Sequence, residues 1–149
     1  MRAVIQRVKH ASVKVDDKIV GQINNGILIL LGIAEEDTDS DLDYTFDKTI
    51  GLRIFEDEDG KMNRSLSDVD GSILVVSQFT LQGDARKGRR PSFTNAARPE
   101  KAIPYYEEFI RRCRALNINT QTGIFGADMQ VELCNDGPVT ILLDSTRLF

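Results

Sequence analysis

A chain of 149 residues points to one domain, 1–149, with room for a full hydrophobic core. With 41% apolar and 28% charged residues the composition is that of an ordinary soluble protein, and no apolar run approaches the roughly 18 residues of a membrane span. The net charge of −4 argues mildly against a nucleic-acid partner, because counterion release rewards Lys and Arg. The charge is segregated, however. Residues 35–47, EEDTDSDLDYTFD, hold acids and no base, whereas residues 86–90, RKGRR, place four bases in five positions.

In chain order, residues 2–15 alternate as a strand, with Val4, Val8, Val13 and Val15 as inward positions. The segment lacks the apolar block of a signal peptide, so a cytoplasmic location is expected. Asp16-Asp17 signals a turn, and 19–23 returns as a second strand. Asn24-Asn25-Gly26 reads as a hairpin, since Asn-Gly tolerates positive φ. Residues 27–33, ILILLGI, form a continuous apolar strand of the kind covered on both faces. The acidic stretch opens a helix capped by Asp39 or Ser40, with Leu42, Phe46 and Ile50 on its apolar face. Residues 53–55 make a short strand. EDEDG at 56–60 lacks the Asp spacing and closing Glu of an EF-hand and reads as a hairpin turn. Residues 73–81, ILVVSQFTL, are a further strand, and 82–98 a long polar loop of the kind that tends to be functional. Pro99 starts a helix to about Leu116, ended by Asn117, with Ile103, Tyr106, Phe109, Ile110 and Cys113 on one face. A strand at 129–134, a Gly137-Pro138 step, a last strand and a tail at 145–149 complete the chain. The order is roughly β-β-β-α-β-β-α-β-β. It predicts an α+β fold in which two main helices pack on a mostly antiparallel, barrel-like sheet.

Absences limit the chemistry. There is no P-loop, dinucleotide fingerprint, HExxH, CxxC or nucleophile elbow. The two cysteines, Cys113 and Cys134, lack Cys or His neighbours at metal spacing, and the single histidine, His10, lies in the first strand without an acid–base motif around it. Neither a metal nor an organic cofactor is expected. Three segments break local rules: SQFT at 77–80, polar after a wholly apolar strand; GIFGADM at 123–129, with two glycines flanking a Phe; and Gly137-Pro138, inside otherwise β-rich sequence. From the residues alone each also has a plain structural reading, as a strand end, a glycine-capped loop and a tight turn. If the chain is an enzyme, backbone amides and carbonyls carry much of its chemistry.

Taken together, MRAVIQRV at 1–8, LRIFEDEDGKMN at 52–63, ILVVSQFTL at 73–81, DARKGRRPSFT at 84–94, GIFGADMQVEL at 123–133 and NDGPVT at 135–140 resemble the D-aminoacyl-tRNA deacylase family in order and over nearly the whole chain. The resemblance implies hydrolysis of the ester joining a D-amino acid to tRNA, and of glycine mischarged on tRNA(Ala). It also implies a homodimer with active sites at the subunit interface, in which the cis Gly-Pro of one subunit enters the site of the other and rejects L-aminoacyl-tRNA. Gly137 and Pro138 match that chiral filter, and Arg7 the arginine that holds it. Ser77, Gln78, Phe79 and Thr80 match the catalytic segment. Phe125, Gly126, Met129 and Thr140 match positions that bind substrate and the terminal adenosine. One position departs from the family, which commonly has Tyr where this chain has Gln82.

L and D esters hold the same atoms, so pocket volume cannot separate them. Rigid groups on several sides of Cα can, by excluding the wrong hand. Thr80 is the evident nucleophile by type, yet a threonine hydroxyl needs a base and the sequence supplies none nearby. Attack by water, helped by backbone N–H groups near Phe79 and Thr80 and by the substrate's 2′-hydroxyl, fits better. Arg86, Lys87, Arg89 and Arg90 are candidates for tRNA phosphate contacts. The rivals are a non-catalytic module that holds tRNA ends, and a hydrolase of another acyl ester using Thr80 or Thr140 as nucleophile.

Overall fold

In the computed structural model, which describes residues 1–149, strand β1 (Arg2–Val15) reverses at Asp16-Asp17, both left-handed with φ of 50° and 62°. The return is made by β2 (Lys18–Ile23) and β3 (Gly26–Gly32). These two do not pair with each other. Both lie antiparallel on β1, with Ala11 opposite Ile23 and Val8 opposite Gly26. Asn24-Asn25 is therefore a kink in one long returning strand, not the expected hairpin. At the kink β1 bends as well. Ala3 and Ile5 face the larger core, whereas Ala11 and Val13, of the same parity, face a smaller one. A strict alternation cannot follow such a bend, which is why Val4 and Val15 are only half-buried while Ala3 and Ile5 are fully buried.

Helix α1 (Asp39–Gly51) follows β3 and leads through a small hairpin, β4 (Phe55–Glu56) and β5 (Met62–Arg64), to β6 (Ser72–Ser77). Its cap is Thr38 rather than Asp39 or Ser40: the Asp41 carboxylate accepts from the Thr38 amide at 2.8 Å and from its hydroxyl at 2.9 Å. Asp57 closes the β4–β5 turn by accepting from the amides of Asp59 and Lys61 and from the Asn63 side chain. Helix α2 (Pro99–Ala115) then leads to β7 (Thr120–Thr122), and β8 (Gln130–Asp144) ends the sheet. Asn117, at φ 58°, terminates α2 in the left-handed region.

The sheet runs β2-β1-β3-β6-β7, with β8 also paired to β1. β3 and β6 are parallel, as are β6 and β7. The sheet is thus mostly antiparallel, as expected, but mixed rather than purely so, because α1 and α2 each act as a crossover that returns the chain in the same direction. It curls until β2 meets β7, where a Cβ on Gly21 would lie 2.3 Å from the Thr122 carbonyl oxygen. The result is a nearly closed barrel. Its outer face buries Ile27, Ile29, Ile73 and Val75 beneath the helices, with Phe109 fully buried and edge-on to Phe46 at 5.5 Å. Its inner face buries Leu28, Leu74 and Val76. Both faces of β3 and β6 are covered, as their continuous apolar runs predict. No helix is long and apolar enough to cross a membrane.

Candidate active site

β6 ends at Ser77, earlier than the sequence predicts, and the chain tightens into a 3-10 turn over Phe79–Gln82. The Gln78 amide makes the last bond to β3, to the Leu31 carbonyl at 2.8 Å. The next two amides, of Phe79 and Thr80, donate to no protein acceptor, as expected of the first residues of a helical turn. Phe79 lines an apolar cleft of about 280 Å³, walled by Leu31, Ile33 and Val76 from the sheet ends, Ala97 and Ala102 before and within α2, and Phe125–Ala127, Met129 and Val131; Thr80, next in the turn, does not line it. Gly123 makes the wall possible, since a Cβ there would meet the Met129 Sδ at 2.5 Å. Tyr106 supports Phe125 from below, rings 5.8 Å apart. It donates to the Val75 carbonyl at 3.0 Å, and burial pushes its phenol up to about 12, so it serves as a neutral strut. The Gln78 side chain donates to the Thr80 hydroxyl. Gln82 is buried and donates to the Gly32 carbonyl at 2.9 Å, fastening the end of the turn to β3.

Ser77, Gln78, Phe79, Phe125, Gly126 and Met129 thus share one cleft, although they come from two segments far apart in the chain. Arg7, Gly137, Pro138 and Thr140 do not line it. They form a second group on the β1–β8 ladder. There, between Thr140 opposite Gln6 and Asn135 opposite Val8, β8 spends four residues against one on β1. Gly137-Pro138, a cis peptide, is therefore the crest of a wide bulge within one strand and not a turn between two. The buried Arg7 lies beneath it, its Nε 3.0 Å from the Asp136 carbonyl and its Nη1 2.7 Å from the Ile54 carbonyl. Gly137 has φ 131°, and a Cβ there would sit 2.8 Å from Val139 Cγ2 and 3.0 Å from Arg7 Nη2. Asn135 clasps the bulge: its Oδ1 accepts from the Val139 amide at 3.0 Å and its Nδ2 donates to Thr140 Oγ1 at 3.1 Å. Sequence reasoning missed Asn135. The signal for it was an Asn just before a Gly-Pro step, a type that bonds nearby backbone.

The third group is a tongue. Asp84 and Ser92 exchange backbone bonds of 2.8 and 2.9 Å, so residues 85–91 project with Arg86, Lys87, Arg89 and Arg90 exposed. Arg86 folds back on Asp84 at 2.7 Å, and its hydrogen bonds hold the Asp84 carboxyl well below the usual range. Lys87, Arg89 and Arg90 have no carboxylate partner. Cys113 is buried, which pushes its thiol up to about 12, so it is an inert core residue; Cys134 is exposed on β8.

The chain that carries this cleft, crest and tongue is similar to known proteins over its whole length. The family model described as D-Tyr-tRNA(Tyr) deacylase matches residues 4–144. Among curated proteins, one from Thermosipho africanus is 58% identical and one from Clostridioides difficile 59% identical, each over the whole of both chains and each named D-aminoacyl-tRNA deacylase. The chain belongs to the D-Tyr-tRNA(Tyr) deacylase family. A solved structure described as c-Myc DNA Unwinding Element Binding Protein superposes with a TM-score of 0.91 at 44% identity, over 97% of this chain and 98% of its own. A probable eukaryotic D-amino acid tRNA deacylase shares the fold, with a TM-score of 0.79 at 20% identity, over 95% of this chain and 97% of its own.

Proposed function

We propose that this member of the family hydrolyses the ester between a D-amino acid and the terminal ribose of tRNA, in the cytoplasm, and removes glycine mischarged on tRNA(Ala) at the same site. The observation that carries this is the pair of unpartnered amides of Phe79, which lines the apolar cleft, and of Thr80, the next residue of the same turn. An ester carbonyl placed against them has its developing negative charge met by two preorganised dipoles, and one such donor is worth about 2.7–4 kcal/mol in comparable sites. Water adds to the carbonyl carbon, the bond from that carbon to the ribose oxygen breaks, and a proton passes to the ribose oxygen. Free amino acid and tRNA leave. The terminal adenosine lies against Phe125, Gly126 and Met129.

The Gly137-Pro138 crest belongs to this reading as the chiral filter, supplied by a second copy of the chain, since it lies outside its own cleft. It presents main chain and a rigid ring to the amino acid, held by Arg7, and so excludes an L side chain by shape rather than by a mobile contact. Glycine has no side chain to exclude, and its removal follows from the same geometry.

The test is deacylation of D-Tyr-tRNA and L-Tyr-tRNA by the wild type and by Gly137→Ala. The wild type should release D-tyrosine and leave the L ester intact. The added methyl, with no room beside Arg7 and Val139, should cut D turnover at least tenfold or admit the L ester. A folded dimer that hydrolyses neither ester would instead support a module that only holds tRNA ends.

A further inference from the structure

Two phenylalanines stand at the cleft mouth with much of their apolar surface in water. Phe79 is 57% exposed and Phe93 37% exposed. Their rings meet edge to face, with centroids 5.3 Å apart and planes at 74°. The corner they make is built, not incidental. Phe93 rests on the backbone of Gly83, where a Cβ would lie 2.9 Å from its ring, and the Asp84–Ser92 ladder holds it beside the catalytic turn. Phe93 lies outside the cleft assigned to the adenosine, and it sits at the root of the tongue that carries Lys87, Arg89 and Arg90. Exposed aromatics beside a run of unpaired cations are the pattern by which proteins hold single-stranded nucleic acid: rings stack on bases while cations follow the phosphates.

We infer that Phe93, with Phe79 as its edge, is a stacking platform for a second nucleobase, the penultimate cytidine of the acceptor end, just outside the adenosine pocket. This rests on the proposed deacylase function, in which the tRNA end enters the cleft. The platform needs no sequence code, because every tRNA acceptor end offers a ring there.

The experiment compares kcat/KM for three D-tyrosyl esters: of adenosine, of the dinucleotide CpA and of tRNA. In the wild type the CpA ester should exceed the adenosine ester by at least about fivefold, the lower bound for one stacked base. In Phe93→Ala and in Phe93→Leu, which keeps most of the packing on Gly83, that ratio should fall toward one; Phe93→Tyr should retain it. A ratio that stays at the wild-type value, whether through equal losses on both esters or through no loss, overturns the platform, as does a change in subunit association of the variants at working concentration. A wild type that cleaves none of the three esters overturns the deacylase reading itself, a result distinct from cleavage without a nucleotide-dependent gain.

Discussion

Thr80 illustrates how far a residue's type can mislead about its work. Its hydroxyl accepts from the Gln78 amide, and no imidazole, carboxylate or amine reaches it. The only histidine, His10, is exposed on β1 opposite Cys134. Without a base the hydroxyl is a poor nucleophile. Thr80→Ala keeps the backbone amide and should lower kcat by less than about tenfold, whereas loss of a true triad nucleophile costs on the order of a millionfold. Single-turnover kinetics with D-Tyr-tRNA would check this, and trapping of a covalent acyl-enzyme would contradict it. Residues that act through main chain are legible in sequence only as unusual composition. SQFT and Gly-Pro stand out for that reason, but Asn135 and Phe93 do not. One clasps a bulge and the other rests on a glycine, and neither relation follows a period of 2 or 3.6.

Among elements, the helices are the most legible. Each carries its own apolar stripe and a start signal, so the spacing of Leu42, Phe46 and Phe109 already assigns them to the core-facing sides where they lie. The sheet is less so. Asn24-Asn25-Gly26 has hairpin chemistry, yet it serves as a kink, because both flanking strands already have a partner in β1 and Ser72 crosses so near that a Cβ on Gly26 would lie 1.9 Å from its carbonyl oxygen. The parallel strands are hidden for a related reason: the crossovers through α1 and α2 fix direction, and no local pattern records it. The seam between β2 and β7 supplies a stability test. Gly21→Ala pushes a methyl into the Thr122 carbonyl and should destabilise the fold by about 1–3 kcal/mol, the usual penalty of overpacking. The urea midpoint should fall with an unchanged slope.

At the scale of the whole molecule, a protein of net charge −4 must attract a polyanion through a local surface. Neutralising Arg86, Lys87, Arg89 and Arg90 together should weaken tRNA binding and flatten its dependence on log salt by roughly 0.7–0.9 for each phosphate released from the tongue; equilibrium binding from low to high salt measures the slope, and an unchanged slope would remove the tongue from the interface. That the Gly-Pro crest lies outside the cleft of its own chain is not legible in the sequence, because residue order does not say which surfaces the fold brings together. The arrangement of β1 also bears on how the protein is made. It joins β2 and β3 along one edge and β8 along the other, with Arg2 opposite Asp144. β1 leaves the ribosome before β8 and must therefore wait for it before its second edge is paired. Closure is a late and slow event, dominated by pairings distant in sequence. Through that interval Lys9, His10, Ser12 and Lys14, which stay exposed or half-exposed in the finished fold, keep an open strand polar enough to resist pairing with a neighbouring nascent chain.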